Sequence, residues 1–203
     1  MPDERQHRAR LEAQQLEKVT AYLGLGTNLG AREVNLKRAA HLLTAPGQDR
    51  NPPNLGDQTR LAHLQLIRSS SIYETAPWGY VNQPRFLNCV LEVETGLSPS
   101  ELLRFVQGLE ADMGREPSSR YGPRIIDLDI LLYGDQTVQQ PDLQIPHPRL
   151  HQRAFVLIPL AELAPDLVHP MLSLTIGQLA RDAQDQDGVM RIGPPLDPTT
   201  IPD

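Results

Sequence analysis

The stretch Arg120-Tyr121-Gly122-Pro123-Arg124-Ile125-Ile126-Asp127-Leu128-Asp129-Ile130-Leu131-Leu132 changes character at Ile126. From there Ile126, Leu128, Ile130 and Leu132 alternate with Asp127 and Asp129, the two-residue period of a half-buried strand. Apolar side chains fill one face, and both carboxylates project from the other. A strand rises about 3.3 Å per residue, which puts the two acidic Cα atoms roughly 6 to 7 Å apart. Side chains at that spacing reach one divalent ion or a closely spaced pair, so a cation site is the first expectation.

Cations bracket the acids in sequence. Arg115, Arg120 and Arg124 precede them, and His147, Arg149 and Arg153 follow. Such charges can form a structural salt-bridge network at the end of a sheet. A nucleotide reading explains more of the pattern. ATP brings about four negative charges, magnesium joins its phosphate oxygens to carboxylates, and arginine forks neutralise the transferring group. Asp127 and Asp129 suit metal anchoring, with Arg115 and Arg124 beside the phosphates. No Gly-x-x-x-x-Gly-Lys-Ser/Thr loop and no kinase catalytic loop is present, so a P-loop is not the phosphate cradle and the common kinase folds are disfavoured. His147, held between two prolines, reads alone as a loop histidine. Trp78, Phe86 and Phe155 read singly as core aromatics.

The chain has 203 residues, one cysteine (Cys89) and a net charge of −6. That length suits one domain with appendages, and a single cysteine leaves neither an intrachain disulfide nor a cysteine metal cluster. A reducing, cytoplasmic setting is expected. The acidic balance disfavours a broad nucleic-acid surface. No run approaches about 18 apolar residues, and no signal-like apolar core occurs near Met1, so no membrane association is expected.

Residues 1–18 read as a charged arm, 19–181 as the domain and 182–203 as a polar tail. Within the domain, Ala21 to Gly26 reads as a strand closed by the turn Gly26-Thr27-Asn28-Leu29-Gly30. A helix follows from about Arg32, with Leu36, Ala39, Ala40 and Leu43 on one face. Residues 44–61, rich in Pro, Asn, Asp and Gln, read as a flexible insertion. Leu64 to Tyr73 reads as a strand, Glu74 to Pro84 as a loop, and Phe86 to Glu94 as a strand. Leu87, Cys89, Leu91 and Val93 face the core, with Phe86 and Asn88 opposite. Ser98-Pro99-Ser100-Glu101 forms a capping box for a helix that buries Leu102, Phe105, Val106, Leu109 and Met113. One further short helical segment is expected between Leu163 and Ala180. The order strand, helix, strand, strand, helix, strand predicts an α+β fold: a ferredoxin-like βαββαβ core, its antiparallel sheet carrying helices on one face, plus a C-terminal extension. Phe86, Asn88, Asp127 and Asp129 would then share the open face.

Five ordered motifs remain. They are Gly26-Thr27-Asn28-Leu29-Gly30, Ser70-Ser71-Ile72-Tyr73-Glu74-Thr75-Ala76-Pro77-Trp78-Gly79, Phe86-Leu87-Asn88, Gly122-Pro123-Arg124-Ile125-Ile126-Asp127-Leu128-Asp129, and the run Ile145-Pro146-His147-Pro148-Arg149 continuing to Phe155. Over about Ala21 to Ala180 the chain resembles the 6-hydroxymethyl-7,8-dihydropterin pyrophosphokinases of folate biosynthesis. The resemblance implies transfer of pyrophosphate from ATP to a reduced hydroxymethylpterin, with two magnesium ions held by Asp127 and Asp129. It implies a pterin slot between Phe86 and Phe155, with Asn88 on the pterin edge and Thr75, Ala76 and Trp78 in a loop that meets it through backbone. Gln107, Glu110, Tyr121, Ile130, His147 and Arg153 match nucleotide-binding positions, and Arg115 and Arg124 match catalytic arginines. A monomer is expected. Pro117 departs from the family pattern where a second basic residue is common, as does Tyr121 where tryptophan is. Another two-metal nucleotidyl transferase and a non-catalytic binding module are the competing readings.

Overall fold

The glycine- and leucine-rich segment Val19–Thr27 forms β1, which pairs antiparallel on both sides, with β4 (Phe86–Thr95) and β5 (Asp127–Tyr133). The computed structural model describes residues 18–44, 64–77, 82–115 and 122–197. Apart from Lys18 and Thr44, the expected arm 1–18 and insertion 44–61 therefore lie outside the described residues. Helix α1 (Arg32–Thr44) buries Leu36, Ala39, Ala40 and Leu43, the face its spacing predicts. Helix α2 (Pro99–Asp112) begins at the Ser98 capping box: the Ser98 side chain accepts the Glu101 N–H, and Glu101 accepts the Ser98 N–H at 2.8 Å. These two contacts satisfy donors that the first helical turn leaves without partners.

The expected strand from Leu64 to Tyr73 is broken in two, β2 (Leu64–Ser69) and β3 (Ile72–Thr75), which pair with successive parts of β4. Buried serines make the break. Ser70 gives its N–H to the Val90 carbonyl, and its hydroxyl accepts the Val90 N–H at 2.9 Å. A side chain thus stands in for a rung of the backbone ladder. A small hairpin, β6 (Val138–Gln140) and β7 (Leu143–Ile145), follows β5. Helices α3 (Ala154–Leu163) and α4 (Ile176–Asp182) and strand β8 (Val189–Gly193) complete the described chain. The six-stranded sheet has the order β5-β1-β4-β3-β8, with β2 also on β4, and every pairing is antiparallel.

Helices cover both faces of this sheet, which corrects the expectation of helices on one face. Helices α1 and α2 pack on Ala21, Leu23, Leu87, Cys89, Leu91, Val93, Leu128 and Ile130. On the opposite face α3 and α4 pack against Tyr22, Val90, Leu131 and Leu132. Leu132, expected beside Ile130, lies on this second face. The register between β1 and β5 slips after Tyr22, which pairs with Leu132 while Leu23 pairs with Ile130, so Leu131 is the extra residue of a β-bulge and alternation restarts out of phase. The face expected to be open is therefore covered at one end and open only at the end bearing Asp127 and Asn88.

Helix α3 has no counterpart among the expected elements. It is apolar around most of its circumference and contains Pro159, so neither an amphipathic stripe nor uninterrupted helix formers announce it. The segment expected to be a polar tail from 182 is built into the fold as far as Leu196. Strand β8 pairs with β3, and Leu196 is 6% exposed, packs into the first core and donates its N–H to Ser69 Oγ at 3.1 Å. Leu196→Ala should lower the unfolding free energy by about 2–3 kcal/mol in urea denaturation. An unchanged midpoint would show that the segment is not packed.

Candidate functional site

The open end of the second face has a glycine floor. In the β-ladder Gly26 lies opposite Asn88 on one side and Asp127 on the other, and Gly24 lies opposite Asp129. A Cβ on Gly26 would come within 3.0 Å of Asn88 Oδ1, too close for any larger residue without displacing that amide. Gly26 therefore does more than close a turn: it keeps the floor low between the acids and Asn88.

Strand β4 supplies Phe86 and Asn88, and Asn88 Nδ2 donates to Thr75 Oγ1 at 2.8 Å. Phe155 enters from the first turn of α3. Arg153, the residue that caps this helix, places its guanidinium 5.5 Å from the Phe155 ring centroid, within cation–π range. Gly26, Thr75, Ala76, Phe86, Asn88, Gly122, Arg124, Asp127, Asp129, Arg153 and Phe155 line one cleft. The proposed aromatic slot and the paired acids thus open into the same space, although they come from segments spread over the chain.

Each acid faces basic side chains. Arg124 Nη1 lies 2.6 Å from Asp127 Oδ2, and Arg115 Nη2 lies 2.9 Å from Asp127 Oδ1. Asp129 Oδ2 faces Arg153 Nη1 at 3.2 Å and His147 Nε2 at 3.9 Å. Burial, and then the neighbouring charge of Asp129, hold the Asp127 carboxyl above its ordinary range, against the pull of Arg124 and Arg115. His147 is pushed down chiefly by burial, and its Nδ1 accepts the Arg149 N–H at 3.2 Å, which leaves Nε2 toward Asp129.

The other expected nucleotide positions are placed differently. Glu110 is buried; it accepts the Leu128 N–H at 2.7 Å and pairs with Arg115, so it braces the acid strand and an arginine rather than lining the cleft. Gln107 is exposed on α2. Ile130 is 5% exposed and packs in the first core, so its side chain gives no surface to the cleft. Trp78 and Tyr121, with Arg120 and Pro117, lie outside the described residues. Sequence reasoning passed over Asn28. Its N–H donates to the Arg124 carbonyl at 3.0 Å, and its Oδ1 accepts the Arg124 N–H at 2.7 Å. Asn28 stands within the Gly26–Gly30 motif, but an asparagine there carries the composition of any turn, so nothing local assigns its side chain a role.

Among the described residues no group of three or more His, Cys, Asp or Glu could hold a metal ion. Asp127 and Asp129 offer hard oxygen donors that suit magnesium while leaving most of an octahedral sphere to water and phosphate. The residues fit an ion shared with a nucleotide rather than one caged by protein.

Residues 22–165 match the family model described as 7,8-dihydro-6-hydroxymethylpterin-pyrophosphokinase (HPPK). The chain is 42% identical over 143 residues to the 2-amino-4-hydroxy-6-hydroxymethyldihydropteridine pyrophosphokinase of Bacillus subtilis, covering 70% of this chain and 77% of that protein. It is 36% identical over 180 residues to the folic acid synthesis protein FOL1 of Dictyostelium discoideum, covering 88% of this chain but only 25% of that longer protein. Among solved structures it resembles wild-type HPPK-DHPS of Plasmodium falciparum with pteroate, with a TM-score of 0.62 and 18% identity, over 84% of this chain and 45% of that one. At that identity the likeness concerns the fold.

Burial pushes the Glu110 carboxyl from its ordinary 4.5 up to about 7, against the opposing pull of the Leu128 N–H and Arg115. Between these values the folded state binds the extra proton, so this group's contribution to stability is full below about pH 4.5 and is lost as pH rises through about 7. In urea unfolding at pH 5 and pH 8, wild type should lose stability relative to Glu110→Gln on going to the higher pH. A constant difference between the two proteins would refute the assignment.

Proposed function

The chain belongs to the 7,8-dihydro-6-hydroxymethylpterin pyrophosphokinase family, and from that premise we propose that it transfers pyrophosphate from ATP to the hydroxymethyl oxygen of 6-hydroxymethyl-7,8-dihydropterin. AMP is the other product, and the step belongs to folate biosynthesis. The observation that carries this reading is the single cleft that joins Phe86, Asn88 and Phe155 to Asp127, Asp129 and Arg124. Another two-metal nucleotidyl transferase, or a non-catalytic module, has no need of an aromatic slot beside the acids.

In this proposal Phe86 and Phe155 enclose the flat pterin, Asn88 hydrogen-bonds its edge, the Thr75–Ala76 segment borders it, and Trp78 is assigned to pterin binding. Asp127 and Asp129 would hold two magnesium ions, which would supply positive charge to offset that of the phosphates. Arg115 and Arg124 then exchange part of their pairing with Asp127 for the phosphates and stabilise charge that shifts towards the AMP oxygen. His147 and Arg153 stand beside Asp129 on the nucleotide side, and Gln107 and Tyr121 are assigned to nucleotide binding as well. Glu110 acts on the nucleotide through Arg115, and Ile130 through its backbone. The chain's work is alignment: it holds the pterin oxygen in line with the β-phosphorus and needs no covalent intermediate. Taking β2 and β3 as one broken strand, the core reads as ferredoxin-like, with β8 added at its edge. No helix among the described residues is long and apolar enough to cross a membrane. A monomer in the cytoplasm completes the reading.

Incubation with ATP, magnesium and the reduced hydroxymethylpterin should yield AMP and the pterin pyrophosphate in equal amounts; ADP as the nucleotide product would reject the reading. Asp129→Ala should lower kcat at least ~10²-fold with the far-UV spectrum unchanged, as the loss of a metal anchor predicts. A rate close to wild type would remove Asp129 from the site. For Phe155→Ala, KM for the pterin should rise about tenfold while ATP affinity stays put, and equal losses for both substrates would argue against a pterin slot.

A further inference from the structure

Asn28 is 2% exposed, and its side chain is fully engaged. The Oδ1 atom accepts the Arg124 N–H at 2.7 Å, and Nδ2 donates to Gln83 Oε1 at 3.0 Å and to the Pro84 carbonyl at 3.1 Å. Its backbone N–H closes a second bond to the Arg124 carbonyl at 3.0 Å. An asparagine amide has two N–H donors and one carbonyl acceptor, so two acceptors on one side and one donor on the other match its inventory. Both N–H donors are taken, and burial closes the amide to a ligand from solution.

The two partners lie on opposite sides of the chemistry. Arg124 reaches Asp127 through its guanidinium, at the metal and phosphate end of the cleft. Gln83 and Pro84 lead through Arg85 into Phe86, the aromatic that opens β4 and lines the slot. Segments about forty residues apart in sequence are thus joined by one buried side chain at the end of β1. Strand β1 already joins β4 to β5 through its backbone ladder, and the Asn28 amide adds a side-chain tie between the two segments just beyond the end of that ladder.

We propose that Asn28 is a positioning residue that fixes the Arg124 side of the cleft against the Phe86 side and so sets the distance between the two substrates. The inference rests on the function proposed above and adds a residue which that function does not use. In-line displacement is sensitive to small errors in the approach of nucleophile and phosphorus, so a link between the two binding walls acts on the rate as well as on affinity.

Three variants separate the two arms. Asn28→Asp keeps an oxygen for the Arg124 N–H but sets a second oxygen against the Pro84 carbonyl, which cannot turn to donate. Its KM for the pterin should rise about fivefold, the worth of one lost hydrogen bond, with ATP affinity unchanged. Gln83→Ala weakens the same arm, which keeps its Pro84 bond, and should raise the pterin KM about threefold with a smaller fall in kcat than Asn28→Ala shows. Asn28→Ala cuts both arms and should also lower kcat, measured per folded molecule after the folded fraction is taken from thermal unfolding. A purely structural role would lower the folded fraction and leave both KM values and kcat per folded molecule within twofold of wild type, which would overturn the proposal. Should Asn28→Ala not fold, an unchanged pterin KM in Gln83→Ala and Asn28→Asp overturns it equally. If wild type forms no AMP with the pterin, the proposed function has failed instead.

Discussion

Two carboxylates placed two residues apart on one strand, partly withdrawn from water, repel each other, and the surrounding structure answers that repulsion. Arg124 and Arg115 meet Asp127, and Arg153 with His147 meets Asp129. Such pairs could be a structural network and nothing more. Their setting argues otherwise, because the pairs are half-buried at the mouth of a cleft with an amide and two aromatics on its other wall. A charge cluster built only for stability would gain nothing from that wall.

The fold makes the cleft by leaving one end of a sheet face uncovered. Helices α3 and α4 close the face over Tyr22, Val90, Leu131 and Leu132, and the cover stops where β1 turns to glycine. The bulge at Leu131 contributes to this arrangement. It sends Leu131 and Leu132 together to the covered face while Asp127 and Asp129, ahead of the slip, stay on the open end. A regular strand would have left Leu131 alone there and returned Leu132 to the first core.

Stability and site share some residues. Glu110 ties α2 to the acid strand through the Leu128 N–H and also holds Arg115. Glu162, on α3, accepts from the Ser71 N–H, the Ser71 hydroxyl and the Tyr73 hydroxyl, fastening the helix that carries Phe155 to the strand that carries Thr75. Three donors on one carboxylate make a strong local tie. Burial and this carboxylate together raise the Tyr73 phenol to about 12, so it remains a donor throughout the neutral range.

Local pattern determined much of this protein. Period-two alternation disclosed β1, β4 and the two acids on one face; helical spacing and the Ser98 box disclosed α1 and α2; and the ordered motifs disclosed the family. Those signals are local because they report how one element meets one apolar layer. What only the tertiary structure decided involves partners distant in sequence. Helix α3 is apolar because it is sandwiched, and a sandwiched helix has no stripe to read. Strand β8 forms because β3 offers an edge, and the polar composition of its surroundings hides that. Glu110 and Ile130 turn inward because α2 and β5 pack face to face, and Asn28 matters because Arg124 and Gln83 converge on it. Hydrogen bonds between segments tens of residues apart leave no period in a sequence, so Asp127 and Asp129 could be read from the chain, while the residues that aim them could not.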